Sequence, residues 1–189
     1  MVRQATRKGI PMAKRKMDYT EHYAEVLRIM RGRGLLVGSY NSAGKANLMT
    51  IGWGSMGSIW GIPLWIVLVR PSRYTYSCIE HSGCFTVNVP PEGLSMACAV
   101  CGSKSGRDTD KFTECGLTAR KAATVLAPTV VECPIVYECQ VVHSNDVVPA
   151  KLADEIISGA YTGGDFHRVY YGKILAAWAE EDAADLLAK

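Results

Sequence analysis

Leu64-Trp65-Ile66-Val67-Leu68-Val69-Arg70-Pro71-Ser72-Arg73-Tyr74-Thr75, followed a few residues later by Phe85-Thr86-Val87-Asn88-Val89-Pro90, is the stretch that decides the fold. Leu64 to Arg70 is an unbroken apolar run too short for a typical helix, which predicts a strand buried on both faces. Ser72 supplies a helix-capping hydroxyl, so a short helix is expected over Arg73 to His81, stopped by Gly83. Phe85 to Val89 is a second strand, closed by Pro90 and Pro91. Two strands joined by so short a helix point to a compact, sheet-dominated domain.

The chain on either side agrees. Upstream, Tyr23, Val26, Leu27 and Met30 share one face of a helix expected over Thr20 to Arg31. Leu35 to Asn41 and Asn47 to Gly52 form a hairpin across the turn-rich Asn41-Ser42-Ala43-Gly44. Downstream, Glu92 to Cys101 is helical and Gly102 to Lys111 is a polar loop. Ile135 to His143 and Arg168 to Trp178 are strands on either side of an irregular insert over residues 145–164. Glu180 to Lys189 is an acidic, Ala-rich helix. Strands do not alternate with long helices, so the reading is mainly β: a small Greek-key barrel with peripheral helices. One domain, residues 18–189, follows a flexible tail over 1–17.

Composition excludes several classes. Of 189 residues 48% are hydrophobic and 21% charged, ordinary for a globular chain. The net charge of +3 belongs to the tail: residues 1–17 hold six of the 21 basic residues and none of the 18 acids, leaving 15 basic against 18 acidic residues. Nucleic-acid binding is therefore not expected. The longest apolar run, Ile59 to Val69, is broken by Gly61 and Pro63 and too short to span a membrane. Seven scattered cysteines do not make a secreted disulfide framework and fit a reducing, cytoplasmic location.

Three tempting motifs lack their context. Gly52-Trp53-Gly54-Ser55-Met56-Gly57 has the glycine spacing of a dinucleotide loop, but Ser58 to Pro63 is a poor helix, so no Rossmann site is expected. Cys98 and Cys101 form a lone C-x-x-C without a second pair of ligands, read as two semi-buried helix residues and not as zinc ligands, with a redox dithiol as the alternative. The four histidines, His22, His81, His143 and His167, share no metal spacing, and no metal is expected.

What remains is a constellation: Asn47-Leu48-Met49-Thr50-Ile51-Gly52-Trp53-Gly54-Ser55; Arg70-Pro71-Ser72-Arg73-Tyr74-Thr75; Phe85 to Pro90; and Ser103-Lys104-Ser105-Gly106-Arg107-Asp108-Thr109-Asp110-Lys111-Phe112. In this order the set resembles the flavin-reductase-like family of FMN-binding split barrels, which includes flavoredoxins. The resemblance runs from about Leu35 to Leu126 and resumes at Ile135. It implies a six-stranded split barrel, a homodimer and bound FMN.

The residues suit that cofactor. A phosphate calls for cations and N–H donors, and Arg70, Ser72, Arg73, Tyr74 and Thr75 surround an expected helix start. Ser103, Ser105 and Lys111 add donors from a glycine-bearing loop. The flat ring calls for an apolar wall and nearby donors, available from Met49, Trp53, Gly54 and Ser55, with Asn47, Thr50 and Asn88 at its edges. Taken singly, each of these residues reads equally well as plain core, surface or turn. The resemblance departs at Gly164-Asp165-Phe166-His167, where the family's Gly-Asp-His is displaced by one residue, and the 145–164 insert is longer than usual. His167 is the sole candidate acid or base. The activity implied is redox: an NAD(P)H-dependent flavin reductase, with NADH or NADPH as donor, or a flavoredoxin-like electron carrier serving a small-molecule or protein partner. The alternative is a non-catalytic flavin-binding module.

Overall fold

The computed structural model describes residues 13–188, so the first twelve residues of the expected tail lie outside the described residues. The boundary at residue 17 needs correction. Arg15–Lys16 (β1) pairs with the last strand of the sheet, and Met17 is buried in the core. Lys14 donates to the Val131 carbonyl and pairs with Glu180. One apolar side chain and a few polar contacts thus hold residues 14–17 against the domain. The helix α1 (Tyr23–Arg31) presses Val26, Ile29 and Met30 into the same core and ends at Gly32.

Two hairpins follow. The expected one joins β2 (Leu35–Tyr40) to β3 (Ala46–Ile51), in register from Leu35 opposite Ile51 to Tyr40 opposite Ala46. The second, β4 (Gly54–Ile59) with β5 (Ile62–Val69), turns at Trp60-Gly61, both left-handed at φ 56° and 70°. A strand, not a helix, therefore follows the glycine-rich segment, as expected for a chain without a Rossmann site. In β5 only Leu64, Trp65, Val67 and Val69 are fully buried, while Ile66 and Leu68 are partly open. The expectation of burial on both faces is corrected: one face meets the core, and part of the other borders a cleft.

The rest of the chain runs α2 (Tyr74–Ser82), β6 (Cys84–Val89), α3 (Ser95–Ser103), α4 (Lys111–Cys115), a small hairpin of β7 (Ala119–Lys121) and β8 (Pro128–Val130), β9 (Ile135–Asp146), α5 (Asp154–Ala160), β10 (Arg168–Ala179) and α6 (Ala183–Ala188). Gly83 caps α2 at φ 66°, a conformation that suits glycine.

The main sheet is antiparallel in the order β3-β2-β6-β9-β10-β5-β4, with β1 added to β10. It has two strands more than the six implied by the resemblance, one of them the two-residue β1. Extra residues at Val142 and Leu175 bulge the long β9–β10 pairing, and both side chains are exposed. The sheet curls around Val37, Trp65, Phe85, Val87, Tyr137 and Tyr170. A second core lies outside it: Leu36 and Leu48, on the opposite face of β2 and β3, pack on Ala97, Cys98, Cys101 and Phe112 from α3 and α4. β3 and β4 are consecutive in the chain yet stand at opposite ends of the sheet. The barrel is split there, and Gly52-Trp53 crosses the gap.

Candidate functional site

The split opens into a cleft of about 240 Å³ whose lining includes Met49, Thr50, Gly52, Trp53, Leu68 and His167. A smaller hollow of about 80 Å³ shares Met49, Arg73 and Gly102 with it, so the two are contiguous. The larger has a mixed wall, with Met49, Ile51, Trp53 and Leu68 as its apolar and aromatic part and Thr50, Arg70, Arg73 and His167 as its polar part. The smaller is ringed by Arg73, Lys104, Arg107 and Lys111, with Ser72, Thr75 and Ser105 between them.

The smaller hollow sits at the start of α2, where the Tyr74 and Thr75 amides have no intrahelical acceptor. Arg73 is the N-cap residue, with extended backbone and no hydrogen bond from its guanidinium to any described residue. Arg107 stacks over the Tyr74 ring at 5.2 Å and donates to the Ser72 carbonyl. Lys111 is almost fully buried. Its ammonium donates to the Leu48 and Cys101 carbonyls at 2.8 Å, and burial lowers its pKa. Asn47 is 5% exposed and donates to the Thr75 hydroxyl at 2.9 Å, while its own carbonyl oxygen has no partner. Gly106 lies so close to that oxygen and the Tyr74 ring that a β-carbon there would collide with both. Asn47 thus lies behind Gly106 and lines neither hollow, and the uncommitted cations in front of it mark the binding surface.

In the larger cleft Trp53 is 47% exposed and tilts against His167 at 5.2 Å. His167 is 7% exposed and pairs through Nδ1 with the Tyr161 hydroxyl at 2.7 Å. Burial, with Arg70 nearby, pushes its pKa down from 6.5 to about 4. Between those values the unfolded chain binds a proton that the folded one does not. Stability present above pH 6.5 is therefore lost as pH falls towards 4. A urea midpoint that falls across this window in the wild type, and less steeply in His167→Gln, is the expected result.

Several sequence expectations are corrected. Arg70 faces the cleft, but its guanidinium donates to the carbonyls of Ala160, Gly164 and Asp165, the first at 2.7 Å, and lies 5.0 Å from the Tyr161 ring centre. It clamps the loop after α5 and does not line the smaller hollow. Ser72 does not cap α2: its hydroxyl and amide both donate to the Asp165 carboxylate. These bonds hold Asp165 in a left-handed conformation at φ 54°. Asn88 is fully buried in the sheet, donating to the Leu36 carbonyl and the Thr86 hydroxyl and accepting from the Val130 amide. It lines neither hollow. Gly54 and Ser55 lie along β4 away from both, and the Ser103 hydroxyl turns back onto its own helix at Ala99. The Thr50 hydroxyl, at the cleft wall, donates to the Cys98 carbonyl at 2.6 Å. Residues passed over in the sequence, Tyr161, Asp165, Arg107 and Gly102, help to shape the site.

Cys98 and Cys101 are each 1% exposed, and burial raises their thiols to about 11 and about 12. They are core residues, not a reactive dithiol. All seven cysteines are free, and Cys115 alone is not fully buried. Native-state alkylation at neutral pH is expected to modify Cys115 first, which peptide mapping would show. Among the described residues no group of three or more His, Cys, Asp or Glu side chains is placed to hold a metal. Nor is any helix among them long and apolar enough to cross a membrane.

A family model described as flavin reductase like domain matches residues 28–188. The uncharacterized protein YddH of Escherichia coli (strain K12) is 30% identical over 112 residues, covering 59% of this chain and 58% of that protein, so the chain spans little more than half the length of that curated relative. Flavoredoxin of Desulfovibrio vulgaris (Miyazaki F) superposes with a TM-score of 0.65 at 22% identity, over 95% of this chain and 78% of that one; at that identity the likeness concerns the fold alone. Flavoredoxin from Methanosarcina acetivorans gives 0.63 at 30% identity, over 79% and 69%. With the family model spanning nearly all of the described domain, the chain belongs to the flavin reductase-like family.

Proposed function

We propose that this chain binds FMN across the two joined hollows and works as a redox protein, with the phosphate in the smaller hollow and the ring in the cleft. The observation that carries the reading is their junction. One cleft with Met49, Trp53 and Leu68 on its wall and one cationic pocket at a helix start meet at Met49, Arg73 and Gly102. The residues present fit that cofactor. Arg73, Arg107 and Lys111 set three positive charges around the smaller hollow, and the free first-turn amides of α2 favour an anion. Met49, Leu68 and Trp53 offer a flat group apolar contact.

Bound FMN would supply the chemistry, accepting a hydride or single electrons and passing them on. The protein's part is to hold it and to favour negative charge on the ring, which Arg70 and Arg73 do through their field. Membership of the flavin reductase-like family supports a flavin as the cofactor. The donor is NADH or NADPH if the protein is a flavin reductase, and a protein if it is a flavoredoxin-like carrier. We also assign it a homodimeric state, since the exposed Trp60, Val142 and Leu175 give the sheet apolar surface to cover. Seven free thiols accord with a cytoplasmic location.

The deciding experiment is the visible spectrum of the purified protein, incubated with FMN and desalted, before and after anaerobic NADH or NADPH. Flavin bands that bleach with a nicotinamide make it a reductase. Bands that bleach only with dithionite or a protein donor make it a carrier. A protein that neither carries nor retains flavin overturns the proposal.

A further inference from the structure

His167 and Tyr161 are joined by a hydrogen bond whose direction decides what the imidazole shows to the cleft. The Nδ1–hydroxyl distance is 2.7 Å, and both residues are nearly fully buried. Two proton arrangements are possible. If Nδ1 carried the proton, the Tyr161 hydroxyl would accept it. The tyrosine's own proton, with no other acceptor among the described residues, would then be left unpaired in the interior. If the hydroxyl donates to Nδ1, its proton is satisfied and the imidazole proton sits on Nε2. A tyrosine proton unpaired in the interior is unfavourable, whereas an imidazole proton on Nε2 faces the cleft that His167 lines, and this difference sets the tautomer.

The surroundings point the same way. The groups facing His167 are Arg70 and Arg73 from the β5–α2 connection, Asp165 and Tyr161 from the loop after α5, and the Trp53 ring from the β3–β4 crossing. Two cations against one carboxylate oppose an imidazolium. The Asp165 carboxylate is itself engaged by the Ser72 amide and hydroxyl. The loop that carries both partners is fixed by the three carbonyls that Arg70 holds.

We propose that Tyr161 is a positioning residue for His167, donating to Nδ1 and so holding the imidazole neutral with its Nε2–H directed at the group bound in the cleft. His167 is then a hydrogen-bond donor to an oxygen or nitrogen edge and not a general base. Burial and the Arg70 charge, which keep the ring unprotonated to about pH 4, accord with this. The tautomer is a property of the chain. Only the last step, donation to the flavin, rests on the function proposed above.

The test is long-range ¹H–¹⁵N correlation on full-length, flavin-free protein labelled at histidine, with His167 identified by its loss in His167→Gln. The expected result is a protonated Nε2 and an unprotonated Nδ1 from pH 5 to 8. In Tyr161→Phe, with no hydroxyl to donate to Nδ1, the two tautomers should mix, while burial and Arg70 still hold the titration midpoint below 6.5, the ordinary value for histidine. A wild-type signal with the proton on Nδ1 overturns the proposal whether or not the variant folds. So does a folded variant with an unchanged tautomer. Adding FMN to saturation, read independently by flavin fluorescence, should move the Nε2–H resonance. An unmoved resonance at saturation removes the donation step. Failure to bind FMN at all instead counts against the proposed cofactor and leaves the tautomer result standing.

Discussion

Arg73→Ala should weaken FMN binding about 10- to 100-fold, the loss expected when a charge-assisted bond to phosphate worth about 1.5–3 kcal/mol is removed. The reason is that this cation is uncommitted. Lys104 is paired with Glu114 and Lys45 with Asp110. Arg70 is spent on three carbonyls, and Lys111 on two. Arg107 is partly engaged by the Ser72 carbonyl. Arg73 alone among the arginines around the site borders both hollows with no side-chain partner among the described residues. Arg73→Lys should fall between wild type and alanine, because it keeps the charge but not the forked donors. Riboflavin, which has no phosphate, should bind the wild type and Arg73→Ala alike. Titrations by flavin fluorescence in low salt would check all three. Equal losses for FMN and riboflavin would move Arg73 away from the phosphate and into a general structural role.

The contrast between these two arginines marks where the sequence was readable and where it was not. Arg70 and Arg73 flank the same Pro-Ser and are indistinguishable as residue types. Only the fold shows that the loop 160–165 returns to occupy Arg70 and leaves Arg73 bare. Asn88 misleads for a related reason. A polar residue in an apolar strand looks like a ligand until Leu36, Thr86 and Val130 are seen to satisfy it. β5, α2 and β6 were legible because apolar runs and a glycine stop are local signals. β4 was not, since Gly54, Ser55, Gly57 and Ser58 carry no strand pattern and the strand is defined by its partner β5. Tyr161 lies in an insert without periodicity, and its bond to His167 depends on the left-handed turn at Gly164 and Asp165. The family motifs were legible as strings, and the joined hollows they build require the split between β3 and β4.

The largest effect on stability should come from a residue outside the site. Glu138 lies in the first half of β9, 2% exposed, yet carries a carboxylate that accepts four hydrogen bonds. One oxygen takes the Ala123 amide at 3.0 Å and the Trp178 indole at 2.9 Å, and the other takes the Thr124 amide and hydroxyl, both at 2.6 Å. It ties the loop between β7 and β8 to β9 and β10. Glu138→Ala would strip all four donors of their acceptor where water has poor access. Each buried donor left unmade costs about 1–3 kcal/mol, so even with two rescued by entering water the loss is about 2–6 kcal/mol. For a domain of this size that corresponds to a fall in Tm of about 10 °C. Glu138→Gln should lose less, because one amide oxygen still accepts while its NH₂ faces donors. The order wild type, Gln, Ala in thermal or urea unfolding is the expected result. An alanine variant within about 1 kcal/mol of wild type would mean that the 122–127 loop is held by Ala122, Val125 and Ala127 packing on Cys84, with the carboxylate contributing little.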